Sequence, residues 1–316
     1  MRRILIAGIL SLAVSATSAH AGFFDKIQDA VKQENIDKLI KPDSKEGQIF
    51  SGATQLVSSS KEIDYNTERN IGESLALEGL QKFGNPVKNE ALQQYVNLVG
   101  NAVAANSKRA TIPYQFAVLE SPVQNAFAVP GGVIFVSKAL VAILGDESEL
   151  AAVLAHEVGH VSMKHALKST QRAQLFSGIG SITAASVGGD KGKKFASAIG
   201  DMQGVLFDKG LDKDMEFEAD AAALETTYRT GYDPSAMIRV LEKLQKLEAS
   251  STDKKGSWFS THPPLDERIE KLKALLPKYA DYATQAKVPE RFAKQAKAAK
   301  AAVEPAKAGS GKPAAK

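Results

Sequence analysis

Five histidines occur in 316 residues, and two of them stand in His156-Glu157-Val158-Gly159-His160. The run before them, Leu150, Ala151, Ala152, Val153, Leu154 and Ala155, is apolar and reads as helix. At helical pitch the two imidazoles lie about 40° apart, one turn above the other on one face. Rings so placed can share one cation, and Glu157 flanks them. Bound zinc lowers the pKa of its water to about 7, and a nearby carboxylate can take the proton as the oxygen attacks. The pattern therefore points to metal-assisted hydrolysis. The sequence has no cysteine. That excludes thiol nucleophiles, thiolate metal sites and disulfide frameworks, so any metal must be held by histidine and carboxylate.

A catalytic zinc usually has three protein ligands and one open position. The metzincin extension fails, because Met163 and Ala166 stand where that pattern needs glycine and histidine. On an unbroken helix over 148–173, His165 falls about 140° from His160, off the ligand face. Downstream, Glu216-Phe217-Glu218-Ala219-Asp220 leads into Ala221, Ala222, Ala223 and Leu224, with Glu216 and Asp220 on one helix face. This segment has two readings. Glu216 is a ligand backed by Asp220, which orients a ligand histidine, or the acids simply favour a helix N-terminus. His262 precedes two prolines and a helix expected over 265–276. It has three readings: a stabiliser of the oxyanion, a group that occupies the water position and shuts the site, or a packing residue.

Other elements must position these groups. A helix capped by Asn66-Thr67-Glu68 runs through Leu75, Leu77 and Leu80, and a second covers 89–105 with Leu92, Tyr95, Val96, Val99 and Val103 at helical spacing. Residues 114–119 and 133–136 read as strands. Pro130-Gly131-Gly132 is a turn signal, so 125–136 is a hairpin or sheet-edge unit. Asn125, Ala126, Phe127 and Ala128 are expected to bind substrate through the backbone of that edge, or to form an ordinary core hairpin. A short helix over 139–144 leads to the histidine helix. Residues 177–204 are glycine-rich and read as a lid over the cleft, an interfacial patch or a flexible helix pair. Trp258-Phe259 is expected to anchor the following loop in the core. The expected fold is α+β: a mostly helical zincin-type domain with a small sheet beside the HExxH helix.

The ends of the sequence have their own character. Arg2 and Arg3, an apolar run over 4–16 and Ala19-His20-Ala21 read as a signal peptide cleaved after Ala21, with the periplasm as destination. Residues 22–282 form the expected domain, which begins with weak helical pieces over 23–60. Residues 283–316 read as a disordered tail rich in Ala, Lys and Pro. The net charge is +4, but the tail carries eight basic and two acidic residues, so the domain is acidic. This argues against a nucleic-acid groove. The tail is either a solvated extension or a weak contact to anionic lipid or cell wall.

The combination resembles the gluzincin metallopeptidases that include HtpX-type and CAAX-prenyl-protease-type enzymes, in their exported periplasmic branch. HEVGH and EFEAD carry the resemblance. So do Asn125-Ala126-Phe127-Ala128-Val129-Pro130-Gly131-Gly132, Thr261-His262-Pro263-Pro264, Arg268-Ile269, residues 68–77 and Leu92-Gln93-Gln94-Tyr95-Val96. It covers roughly residues 60–276. It implies one Zn2+ held by His156, His160 and Glu216, with Glu157 as general base. It also implies a role in removing misfolded or misassembled envelope proteins. No tetratricopeptide pattern follows Tyr282, so docking through such repeats is not carried over. The competing reading is a latched or inactive protease fold acting as a periplasmic chaperone or outer-membrane assembly factor.

Overall fold

Helix α1 (Tyr65–Phe83) is capped by Asp64, two residues before the start of the expected cap, because Asp64 accepts hydrogen bonds from the Asn66 and Thr67 amides at 3.0 and 3.1 Å. The computed structural model describes residues 63–176, 200–250, 257–262, 264–279, 281–297 and 299. The expected signal peptide, the pieces over 23–60, the glycine-rich residues 177–199 and the end of the tail lie outside the described residues. Helix α2 (Glu90–Ala104) is capped by Asn89 and buries Leu92, Val96, Val99 and Val103, the stripe its spacing predicts.

Three strands follow: β1 (Gln115–Leu119), β2 (Ala126–Val129) and β3 (Val133–Ser137). Their order is β1-β3-β2, so β2 lies at an edge. β1 pairs with β3 in parallel, and β2 pairs with β3 antiparallel, with Phe127 opposite Phe135. The hairpin turn uses Gly131 and Gly132 at φ +85° and +103°, backbone that glycine adopts without steric cost. Alternate residues feed two cores. Phe116, Val118, Ile134 and Val136 join the core of α2 and the histidine helix. Leu119, Phe127, Val129 and Phe135 join Ile71, Leu75 and Leu80 of α1. The sheet is thus covered on both faces, and the mostly helical α+β expectation holds.

After the short α3 (Lys138–Ile143) comes α4 (Glu147–Ser162), which carries HEVGH and is buried from Glu147 to Val161. It does not run on to 173. Met163 and Lys164 close its last turn onto Gly159 and Val161, and Lys164 takes φ +56° before α5 (His165–Phe176) begins. The unbroken helix expected over 148–173 is corrected to two helices joined at a left-handed residue.

A π-helical turn (Val205–Lys209) precedes α6 (Lys213–Arg229), which lies along α4. Their close approach depends on Gly159 inside the motif. A Cβ there would sit 3.3 Å from Ala219 Cα and from Ala219 O. The remaining helices are α7 (Ala236–Ser250), the single turn α8 (Trp258–Thr261), α9 (Leu265–Leu275) and α10 (Pro289–Gln295). Among the described residues, no helix is long and apolar enough to cross a membrane.

Helix α10 corrects the expected boundary at 282. Phe292, Ala296 and Ala299 are fully buried and belong to the main core. Their spacing makes one apolar helical stripe, which packs beside Tyr95. Arg291 reaches the buried carboxylate of Glu147 at the start of α4, where Tyr95 and Tyr232 also donate at 2.8 and 2.5 Å. Burial alone would raise the Glu147 pKa, but Arg291 and the two phenols hold it below the usual range. We expect Phe292→Ala to lower the unfolding free energy by about 3–5 kcal/mol in urea titrations. A change under about 0.5 kcal/mol, usual for a solvated surface position, would contradict the docking.

Candidate metal centre

Helix α4 presents His156 and His160 from one face. Their Nε2 atoms lie 3.0 Å apart. Helix α6 brings Glu216 to the same point, 3.4 Å from His156 Nε2 and 3.5 Å from His160 Nε2. An ion with tetrahedral bonds of 2.0–2.1 Å separates its ligand atoms by about 3.3 Å, so the three side chains fit one. The burial supports the same conclusion. Neither carboxylate oxygen of Glu216 accepts a hydrogen bond, and Glu157 Oε1 is also buried without a hydrogen-bond partner. Buried charges left in this state are costly unless paired or coordinated to a metal. His156, His160, Glu216 and His262 each offer one ligand atom, all within 4.8 Å of one another.

Asp220, one turn after Glu216, sits where the second carboxylate was expected. Its Oδ1 is 3.0 Å from His156 Nδ1. This leaves His156 Nε2 free to face the ion. The sequence reading gave Arg268 no role, yet it is buried completely and grips Asp220 with two bonds of 2.7 Å. It also lies 3.1 Å from Glu216 and donates to the carbonyl of His262 at 2.7 Å.

His262 stacks on the indole of Trp258 at 4.2 Å and 17°. Its Nδ1 is 2.8 Å from Thr261 Oγ1, and its Nε2 is 3.6 Å from Glu157. Trp258 is buried, as its expected anchoring role requires. His165, set aside on helical angle, also touches the centre. Its Nδ1 lies 2.9 Å from His160 Nδ1, and its Nε2 lies 3.2 Å from Glu218.

A cleft opens beside the cluster, lined by Glu157, His160 and His262 together with Phe127, Ala128 and Leu206. Of the four expected strand residues, Phe127 and Ala128 reach this cleft. Asn125 instead faces the α8 turn, where its Oδ1 is 3.4 Å from Thr261 Oγ1, and Ala126 belongs to the core. Phe207 packs on Phe127 at 5.1 Å, so the turn before α6 lies against the strand.

Three buried carboxylates (Glu157, Glu216 and Asp220) face one guanidinium. The two missing positive charges match one divalent ion. Burial, reinforced by Glu216, pushes the Glu157 carboxyl up to about 8. Burial and Arg268 oppose protonation of His156, but Asp220 and Glu216 outweigh them and raise it to about 9. Burial and the neighbouring rings hold His160 and His262 well below the usual histidine range.

Two imidazoles of an HExxH helix and a carboxylate from a second helix define a zincin-type metal centre. Residues 90–276 match the profile of peptidase family M48, and the chain belongs to that family. It is 33% identical to the beta-barrel assembly-enhancing protease of Yersinia pestis, over 56% of this chain and 37% of that protein. It is 30% identical to the mitochondrial metalloendopeptidase OMA1 of Schizosaccharomyces pombe, over 58% of this chain and 52% of that one. The metalloprotease LoiP of Escherichia coli is 29% identical over 58% of this chain and 71% of its own length.

The charge count has a measurable consequence. Ligand binding of a metal displaces protons. At pH 7, below both raised pKa values, uptake of one divalent ion should release about two protons. Apparent affinity should fall as the pH drops and level off above about pH 9. Calorimetry in buffers of different ionisation enthalpy measures this, and zero proton release at pH 7 would refute it.

Proposed function

We propose that this chain is a zinc-dependent endopeptidase that hydrolyses misfolded or misassembled envelope polypeptides. The observation that carries the reading is the buried carboxylate of Glu216, which accepts no hydrogen bond, beside two imidazole nitrogens aimed at one point. His156, His160 and Glu216 are the proposed ligands, and two imidazoles with a carboxylate suit Zn2+. A zinc ion bound there supplies Lewis acidity toward water and the scissile carbonyl. Glu157 receives the proton of the attacking water and returns it to the departing amide nitrogen, so the C–N bond breaks to give a carboxylate and an amine. Asp220 and Arg268 hold His156 in its ligating tautomer.

The edge strand β2 is the proposed substrate rest. An extended chain adding to an edge gains main-chain hydrogen bonds with little sequence choice, which suits unfolded substrates. Phe127 and Ala128 in the cleft wall support this role. The signal-peptide pattern over 1–21 supports export to the periplasm. The name of one relative, the beta-barrel assembly-enhancing protease, supplies the envelope context, and that name describes the relative.

A second reading is favoured by one observation. His262 offers a ligand atom inside the same group as the three proposed ligands. A ring on the open position would hold the enzyme shut, whereas a ring beside it would stabilise the oxyanion.

Two variants test these readings. Glu157→Gln should keep zinc while casein cleavage falls by about 10²–10⁴-fold. Undiminished cleavage would overturn the mechanism, and chelation without loss of activity would overturn the metal requirement. His262→Ala should raise cleavage if the ring is a latch and lower it if the ring serves the oxyanion. Unchanged cleavage would leave the ring a packing role only.

A further inference from the structure

We propose that His165 is a positioning residue for His160. On this reading His160, His165 and Glu218 form a chain that fixes the tautomer and aim of the second imidazole in the metal centre. The inference rests on the metal-peptidase reading above and deepens it.

The geometry allows one assignment of protons. His160 Nε2 faces His156 and Glu216, so its lone pair must stay free for a metal. Its proton then resides on Nδ1, which lies 2.9 Å from His165 Nδ1. That nitrogen must accept, so the second proton of the chain sits on His165 Nε2. This N–H points at Glu218, 3.2 Å away. Each imidazole of the centre thereby has its outer nitrogen satisfied. His156 donates directly to a carboxylate, Asp220. His160 donates to a carboxylate through a second ring.

A packing role does not account for these contacts. His165 is fully buried, and both of its ring nitrogens have polar partners. A phenyl ring would fill the same volume without that polar requirement. The backbone also carries a cost to bring it there. Lys164, with φ +56°, adopts a conformation uncommon outside glycine and asparagine, and such strain persists only where the surroundings enforce it. The bend turns residue 165 back onto His160 instead of leaving it off the ligand face. One turn of α6 then provides a ligand and the terminus of both outer chains: Glu216, Glu218 and Asp220.

Partners of this type tune metal affinity by about 10–100-fold. Glu218 has a side chain 59% exposed, so its own share should lie at the low end. The test measures zinc affinity by competition with a chromophoric chelator. It also records the visible absorption of the cobalt-substituted protein, which reports ligand geometry. His165→Phe keeps the ring volume and removes both nitrogens. His165→Asn keeps an acceptor near Nδ1. Glu218→Gln sits at the surface and leaves the core intact.

We expect His165→Phe to lose about 10–100-fold in zinc affinity with an altered cobalt spectrum. His165→Asn should recover most of both, and Glu218→Gln should show a smaller loss. If His165→Phe does not fold, His165→Asn and Glu218→Gln decide, and a wild-type affinity and spectrum in both would overturn the chain. Equal loss in His165→Phe and His165→Asn, with Glu218→Gln unchanged, would also overturn it, because packing alone would explain that result. Wild-type protein that takes up no zinc would overturn the metal-centre reading itself. Wild-type protein that binds zinc while all three variants match it would overturn only the role of His165.

Discussion

A buried carboxylate that accepts no hydrogen bond is costly in a protein interior unless cations compensate it. Glu216 is such a group, with the Arg268 guanidinium 3.1 Å away, and the architecture around it serves to hold it there. The two ligand helices lie close because Gly159 has no side chain and Ala219 has a small one. A larger residue at either position would push α6 away from α4 and take Glu216 out of reach of the imidazoles. The glycine in HEVGH thus does packing work for the chemistry of its neighbours. The alanine-rich continuation of α6 serves the same end, with Ala219 and Ala223 fully buried.

The charge balance follows from the same constraint. Arg268 offsets one of three buried carboxylates, and its two strong bonds fall on Asp220. Glu216 stays outside that hydrogen bonding although the guanidinium is only 3.1 Å from it. The arginine therefore fixes the supporting acid and leaves the ligating acid available. Swapping those assignments would satisfy Glu216 internally and remove the reason to bind a metal. The spacing of four between Glu216 and Asp220 on one helix face makes the division possible.

Much of this was legible in the residues. HEVGH announced two imidazoles one turn apart on one face, the Pro-Gly-Gly turn announced the hairpin, and residues 114–119 and 133–136 announced a small sheet beside the histidine helix. Glu216 had two readings when taken alone; the HExxH motif favoured the ligand, and the family resemblance agreed. What escaped depended on tertiary structure. The helical-angle argument excluded His165 because it assumed an unbroken helix, and a lysine at positive φ leaves no mark in sequence. Glu218 was hidden by its proximity to two better candidates in the same acidic segment. The tail helix did carry a signal: Phe292, Ala296 and Ala299 form a helical stripe inside a segment whose composition suggested disorder. Composition averaged that stripe away, whereas packing depends on it.

One guanidinium links the floor of the site to its roof. Arg268 holds Asp220 below the cluster and the carbonyl of His262 above it. The turn that carries His262 is further pinned by the stacked Trp258 and by Thr261. Moving that turn away from the open side would break a charge-assisted bond to Arg268, which contributes about 1.5–3 kcal/mol, and would uncover the indole face. A short peptide gains little by displacing such a roof. On the β2 docking proposed above, an extended chain would gain several main-chain hydrogen bonds and would offset that cost.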